Sequence, residues 1–135
     1  MDRSVQKDAS SMPQVSKADM PMRVSKLIGK DIVNKNDESL GEVHDFIVDK
    51  DGKLSYMIIS HGGVLGIGDK LTPVPWNQVA SAGQFQLDSR DNLVLNIAKA
   101  KLDQAPTFSS TDYMNFAQRD FQNKIDQHFA GTTGP

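Results

Sequence analysis

The chain has no cysteine among its 135 residues. A disulfide scaffold, a thiolate metal site and a cysteine nucleophile are therefore excluded. Nor does it carry a surplus of charge. Fifteen Lys and Arg stand against 17 Asp and Glu, a formal net charge of −2. Affinity built on neutralising phosphates needs excess cations, so nucleic acid is a disfavoured partner. No apolar run approaches the ~18 residues of a membrane-spanning helix. The segment Met1 to Ser10 lacks the apolar stretch of a secretory signal. A cytoplasmic location is expected, or a periplasmic one if a signal peptide has been removed. Aromatics make up 7% and Trp76 is the single tryptophan, so each ring weighs heavily in separating core from surface.

What is present divides into three parts. Residues 1–24 hold scattered valines and methionines interrupted by Pro13 and Pro21. They offer too little apolar area to offset the entropy of ordering and read as a flexible tail. Residues 25–106 are short apolar runs punctuated by turns. Glu42–Asp49, Leu54–Ser60, Leu71–Trp76, Gln84–Leu87 and Leu93–Ile97 read as strands, preceded by one around Ile32-Val33. Asp49-Lys50-Asp51-Gly52 is a hairpin signal. Pro73 and Pro75 place their strand at an edge or bend. Six close-spaced strands without an intervening helix suggest a small barrel or rolled sheet. Residues 107–135 switch to a helical period. Tyr113, Met114, Ala117, Phe121, Ile125 and Phe129 form one apolar stripe from Asp112 to Phe129, with Phe116 off it and a frayed end beyond.

Each motif that invites a chemistry lacks a necessary part. In Gly63 to Lys70, Asp69 stands between the last glycine and the lysine, and Leu71 takes the place of the Ser or Thr of a phosphate loop. His61-Gly62-Gly63 has the look of an oxyanion loop, but no Gly-x-Ser-x-Gly nucleophile elbow accompanies it. His44, His61 and His128 are spread over three elements with no zinc spacing. Asp49-x-Asp51-Gly52 brings its glycine at position four, where a calcium loop needs it at position six. Neither a cofactor, a metal nor a catalytic set is expected.

The order of the pieces is more specific than any of them. Leu27-Ile28-Gly29-Lys30-Asp31-Ile32-Val33-Asn34 leads to Leu40-Gly41-Glu42-Val43-His44-Asp45-Phe46-Ile47-Val48-Asp49. Then come Asp51-Gly52-Lys53-Leu54, Tyr56 to Ser60, Gly66 to Lys70 and Pro73-Val74-Pro75-Trp76. Residues 27–106 in this order resemble the PRC-barrel family, named for a barrel of the photosynthetic reaction-centre H subunit. The resemblance implies a mainly β fold: a six-stranded antiparallel barrel, here with an added C-terminal amphipathic α-helix. It also implies self-association, and kinship with ribosome maturation factors and many small bacterial proteins. Gly41, Gly52 and Gly68 would then serve special backbone angles and Val43, Val74 and Trp76 the core. Asp45 would bond backbone near a turn, and Asp49, Pro73 and Pro75 complete the motif as structural positions.

No catalytic residues come with that resemblance. The expected function is a non-enzymatic module acting through protein–protein contact or as a homodimer. Its candidate interface is Val64, Leu65 and Ile67 at a loop tip, Trp76, and Phe116, Phe121, Ile125 and Phe129 on the helix. The alternative is an RNA- or ribosome-associated assembly or maturation factor.

Overall fold

The computed structural model describes residues 21–61, 70–80 and 85–130, leaving aside the Asn115 side chain. Val64, Leu65, Ile67 and Gly68 lie outside the described residues, as do positions 1–20 of the expected tail. The described chain opens with one helical turn, α1 (Val24–Leu27), whose last residue is buried. The Arg23 carbonyl accepts the amides of Lys26 and Leu27, so Arg23 and Val24 of the expected tail take part in a helical turn.

Four strands follow as a meander: β1 (Asp31–Val33), β2 (Ser39–Val48), β3 (Leu54–His61) and β4 (Lys70–Pro75). At the β2–β3 turn Asp49 accepts the amides of Asp51 and Lys53 on its carboxylate, and Gly52 takes a positive φ of 84°. Gly41 is needed for a different reason. A Cβ there would collide with the Ser60 carbonyl oxygen on the neighbouring strand, so β2 and β3 can pair this closely only through glycine. Between β4 and the next strand lies a helical turn, α2 (Trp76–Val79), which replaces the expected direct connection. A short hairpin, β5 (Gln86–Leu87) and β6 (Leu93–Val94), completes the sheet.

The spatial order is β4-β3-β2-β1-β6-β5. Every neighbouring pair is antiparallel except β1–β6, where Ile32 faces Leu93 and Val33 faces Val94 in parallel. The expected closed antiparallel barrel is therefore corrected to an open mixed sheet. Two features explain it. The crossing through α2 returns the chain so that β5 runs in the direction of β4, which brings β6 in parallel to β1. The outer edge of β4 is already occupied, because Leu71 and Phe108 exchange backbone hydrogen bonds of 3.0 and 2.9 Å. Pro73 and Pro75, which cannot donate to a ladder, sit in this edge strand.

Three helices end the chain: α3 (Lys99–Asp103), α4 (Tyr113–Phe116) and α5 (Arg119–Phe129). The expected single helix is broken where Gln118 adopts an extended conformation. The Gln122 side-chain amide donates to the Phe116 carbonyl and ties the two pieces together. The break turns Phe116 inward and leaves Ala117 and Met114 outward, contrary to an uninterrupted stripe. One hydrophobic cluster includes Ile32, Val43, Ile58, Val74 and Leu95 of the sheet region together with Ile125 and Phe129 of α5.

Two tyrosines bind the helices to the sheet from opposite sides. Tyr56 on β3 donates to Asp126 on α5 at 2.8 Å, and Tyr113 on α4 donates to Asp45 on β2 at 3.3 Å. Burial and the adjacent carboxylate push both phenols up, Tyr113 to about 12.

Candidate interaction surface

Around Trp76 apolar groups gather without being sealed. A bulge in β2 between Val43 and Asp45 re-aims the strand, and Asp45 Oδ1 accepts the Phe46 amide at 2.8 Å. Pro75 ends β4 and starts α2, so Trp76 stands at a bend in the chain. The indole meets Phe46 at 6.0 Å and Phe85 at 5.5 Å between ring centres, both edge to face. All three rings are only partly buried. Trp76 separates two hollows. One, of about 270 Å³, is lined by Met22, Val24, Leu27 and Phe85 among others. The second, of about 670 Å³, is lined by Tyr56, Trp76 and Asn77 together with Asp126, Phe129 and Ala130. Leu54 borders both hollows, and its cross-strand partner Val48 is 56% exposed.

A second constellation lies where β3 ends. His61 Nε2 and Thr72 Oγ1 share a hydrogen bond of 2.6 Å, and His61 Nδ1 lies 3.8 Å from Asp103 Oδ1. Hydroxyl, imidazole and carboxylate thus follow one another in the order of a hydrolytic triad. Thr72 is fully buried, so its hydroxyl is not open to solvent. The Nδ1–carboxylate distance is also beyond a hydrogen bond. Burial holds the imidazole below its ordinary pKa, Lys70 and Lys99 push the same way, and Asp103 opposes them. The group acts as a clasp between β3, β4 and α3. Sequence spacing does not reveal Thr72, since His61 meets it only through the β3–β4 register.

The strands, the Asp-Gly turn and the Pro-Val-Pro-Trp bend occur in the order of a known family model, described as PRC-barrel domain, which matches residues 21–98. The chain belongs to the PRC-barrel family. No curated protein matches it. Phe46, Trp76 and Phe85 all fall inside the PRC-barrel match, while α3, α4 and α5 lie beyond its end.

Within this PRC-barrel chain the expected interface residues separate. Trp76 stays at the surface. Phe116, Ile125 and Phe129 are 5%, 0% and 1% exposed, packed on the chain's own sheet. This corrects the expectation that they meet a second copy: an apolar stripe is buried by whatever sheet face is nearest, and here that face is in the same chain. Phe121 is half-covered, edge to face with Phe108 and Phe116. Among the motif positions Val43 and Val74 are buried, and Gly41, Asp49 and Gly52 hold the β2–β3 unit together. Asp45 bonds backbone at a bulge within a strand, not at a turn. His128 sits at the helix margin, its Nε2 2.7 Å from the Lys101 carbonyl. Among the described residues no three His, Asp or Glu side chains converge as a metal site, and no helix is long and apolar enough to cross a membrane.

Proposed function

We propose that this PRC-barrel chain is a non-enzymatic module that works by protein–protein contact through the Trp76 surface. The observation that carries the reading is the half-buried trio Phe46–Trp76–Phe85, which lines one hollow and through Trp76 a second, near the exposed Val24 and Val48. Aromatic rings that a fold leaves partly wet gain by burial against a partner, and tryptophan is among the residues that dominate interface energies. A second copy of the chain is one such partner, and a homodimer is then built on this surface, not on α5. The burial of Thr72 beneath His61 speaks against hydrolytic use of that cluster.

The RNA- or ribosome-associated reading has less support. Lys30, Arg90 and Lys99 are each held by a carboxylate of the chain itself, Asp91, Asp37 and Asp103 respectively. Cations so occupied contribute little to phosphate binding.

A photoreactive amino acid at Val48 tests the proposal in living source cells, with the same group at Lys124 on α5 as control. A discrete cross-linked protein from position 48 and none from 124 is the expected result. Labelling that is the same at both positions refutes the surface. Cross-links to RNA or ribosomal proteins favour the alternative.

A further inference from the structure

The larger hollow beside Trp76 has a charge character that selects among partners. Of the described side chains that line it, Asp126 alone is charged; the others are apolar, aromatic, hydroxyl or amide groups such as Leu54, Tyr56, Asn77 and Phe129. Asp126 is exposed, and its Oδ1 accepts the Tyr56 hydroxyl. That bond fixes the carboxylate against the wall and leaves Oδ2 directed to no other group among the described residues. The indole of Trp76 lines the same hollow. A hydrogen-bonded carboxylate and an indole that line one hollow, with amides beside them and no cation among the described lining residues, are complementary to a planar cation. A guanidinium stacks on an aromatic face and pairs with a carboxylate through a fork of donors. An ammonium offers only a compact, strongly hydrated charge.

We propose that this cleft receives an arginine side chain carried by an extended segment of the partner protein. The inference rests on the protein-contact reading and deepens it. The cleft joins the family-matched domain, which supplies Trp76, to α5, which supplies Asp126. An arginine seated there bridges the two and is read by both. The hollow of about 670 Å³ is roomy enough for one side chain and its flanking backbone.

The single tryptophan makes the test direct, because Trp76 is the only indole to report. The probe is the peptide acetyl-Gly-Gly-Arg-Gly-Gly-amide, titrated into the full chain while tryptophan emission is followed. The comparison peptide carries citrulline, which keeps the shape of arginine and removes the charge. A saturable emission change is expected with arginine. It weakens by about tenfold or more with citrulline and, in the arginine titration, with Asp126→Asn. The asparagine variant still accepts the Tyr56 hydroxyl, and a circular-dichroism melt verifies its fold. Equal binding of the two peptides, undiminished binding by Asp126→Asn, or no saturable change with the arginine peptide overturns the proposal. The citrulline arm does not depend on any variant folding. If these tests fail while cross-linking from position 48 still captures a protein, the arginine assignment falls and the contact surface stands.

Discussion

Two aromatic clusters on the same sheet meet opposite fates. In one, Phe108, Tyr113, Phe116 and Phe121 pack at ring separations of 5.0 to 6.3 Å, with Tyr56 edge-on to Phe116 at 5.2 Å. In the other, Phe46, Trp76 and Phe85 make the same kind of edge-to-face contact and stay half-open. Ring chemistry does not distinguish them. In the first, Phe108 and Phe116 are buried and Tyr113 and Phe121 partly so, because α4 and α5 bring their rings against Phe108 and are fixed there by the Tyr56–Asp126 and Tyr113–Asp45 bonds. Over the second, no described element of the chain closes. An aromatic cluster becomes core or contact surface according to whether chain remains to cover it.

The strongest way to break this contrast is to attack the covered side. Phe129→Ala removes a fully packed ring and is expected to cost about 3–5 kcal/mol in urea unfolding, a large share of the ~5–15 kcal/mol of a domain this size. Trp76→Ala on the open side is expected to cost about 2 kcal/mol, since the ring is only partly buried, while abolishing partner capture. Equal costs at the two sites would erase the distinction between core and surface.

The tyrosine bonds sharpen the comparison further. Tyr56→Phe and Tyr113→Phe should each lose about 1 kcal/mol. Both phenols hold their protons more firmly in the folded chain than in the unfolded one. The stability they contribute is therefore whole below the unfolded value near 10 and is lost as pH rises through the folded values, about 12 for Tyr113. Stability measured by urea unfolding should fall across that window, and the double Phe variant should lack this response. The smallest effect belongs to Val48→Ser. It should change stability by no more than about 0.5 kcal/mol and weaken cross-linking or capture at the Trp76 face.

Strand periodicity made much of the sheet legible. Leu93, Leu95 and Ile97 alternate with Val94, Asn96 and Ala98, and the first set is buried. Pro73 and Pro75 pointed to an edge, and the Asp-Gly pair to the β2–β3 turn. The parallel β1–β6 pairing was not legible, because a strand's own pattern carries no label for its neighbour. The amphipathic stripe of the last helix showed that a face must be buried without showing against what. Phe121, Ile125 and Phe129 therefore read as an interface, although the chain's own sheet takes the last two. Trp76, set among prolines, carried no periodic signal at all. Its place between two hollows follows from the bend at Pro75 and the bulge in β2.

The one parallel pair also sets an order of assembly. Each hairpin of the β1–β4 meander closes between near neighbours and can zip locally. Docking β6 on β1 must instead join positions as remote as Lys30 and Asp91, 61 residues apart and bonded to each other. Closing so long a loop forfeits entropy before any contact repays it, and such contacts form late. By this argument the meander is expected to form first and the β5–β6 hairpin to dock on it last. Substitutions at Leu93 should speed unfolding and leave the folding rate almost unchanged, whereas substitutions at Ile58 should slow folding. During synthesis the same order means that a nascent chain presents the β1 edge unpaired until residue 94 has emerged, a period in which that edge is open to other strands.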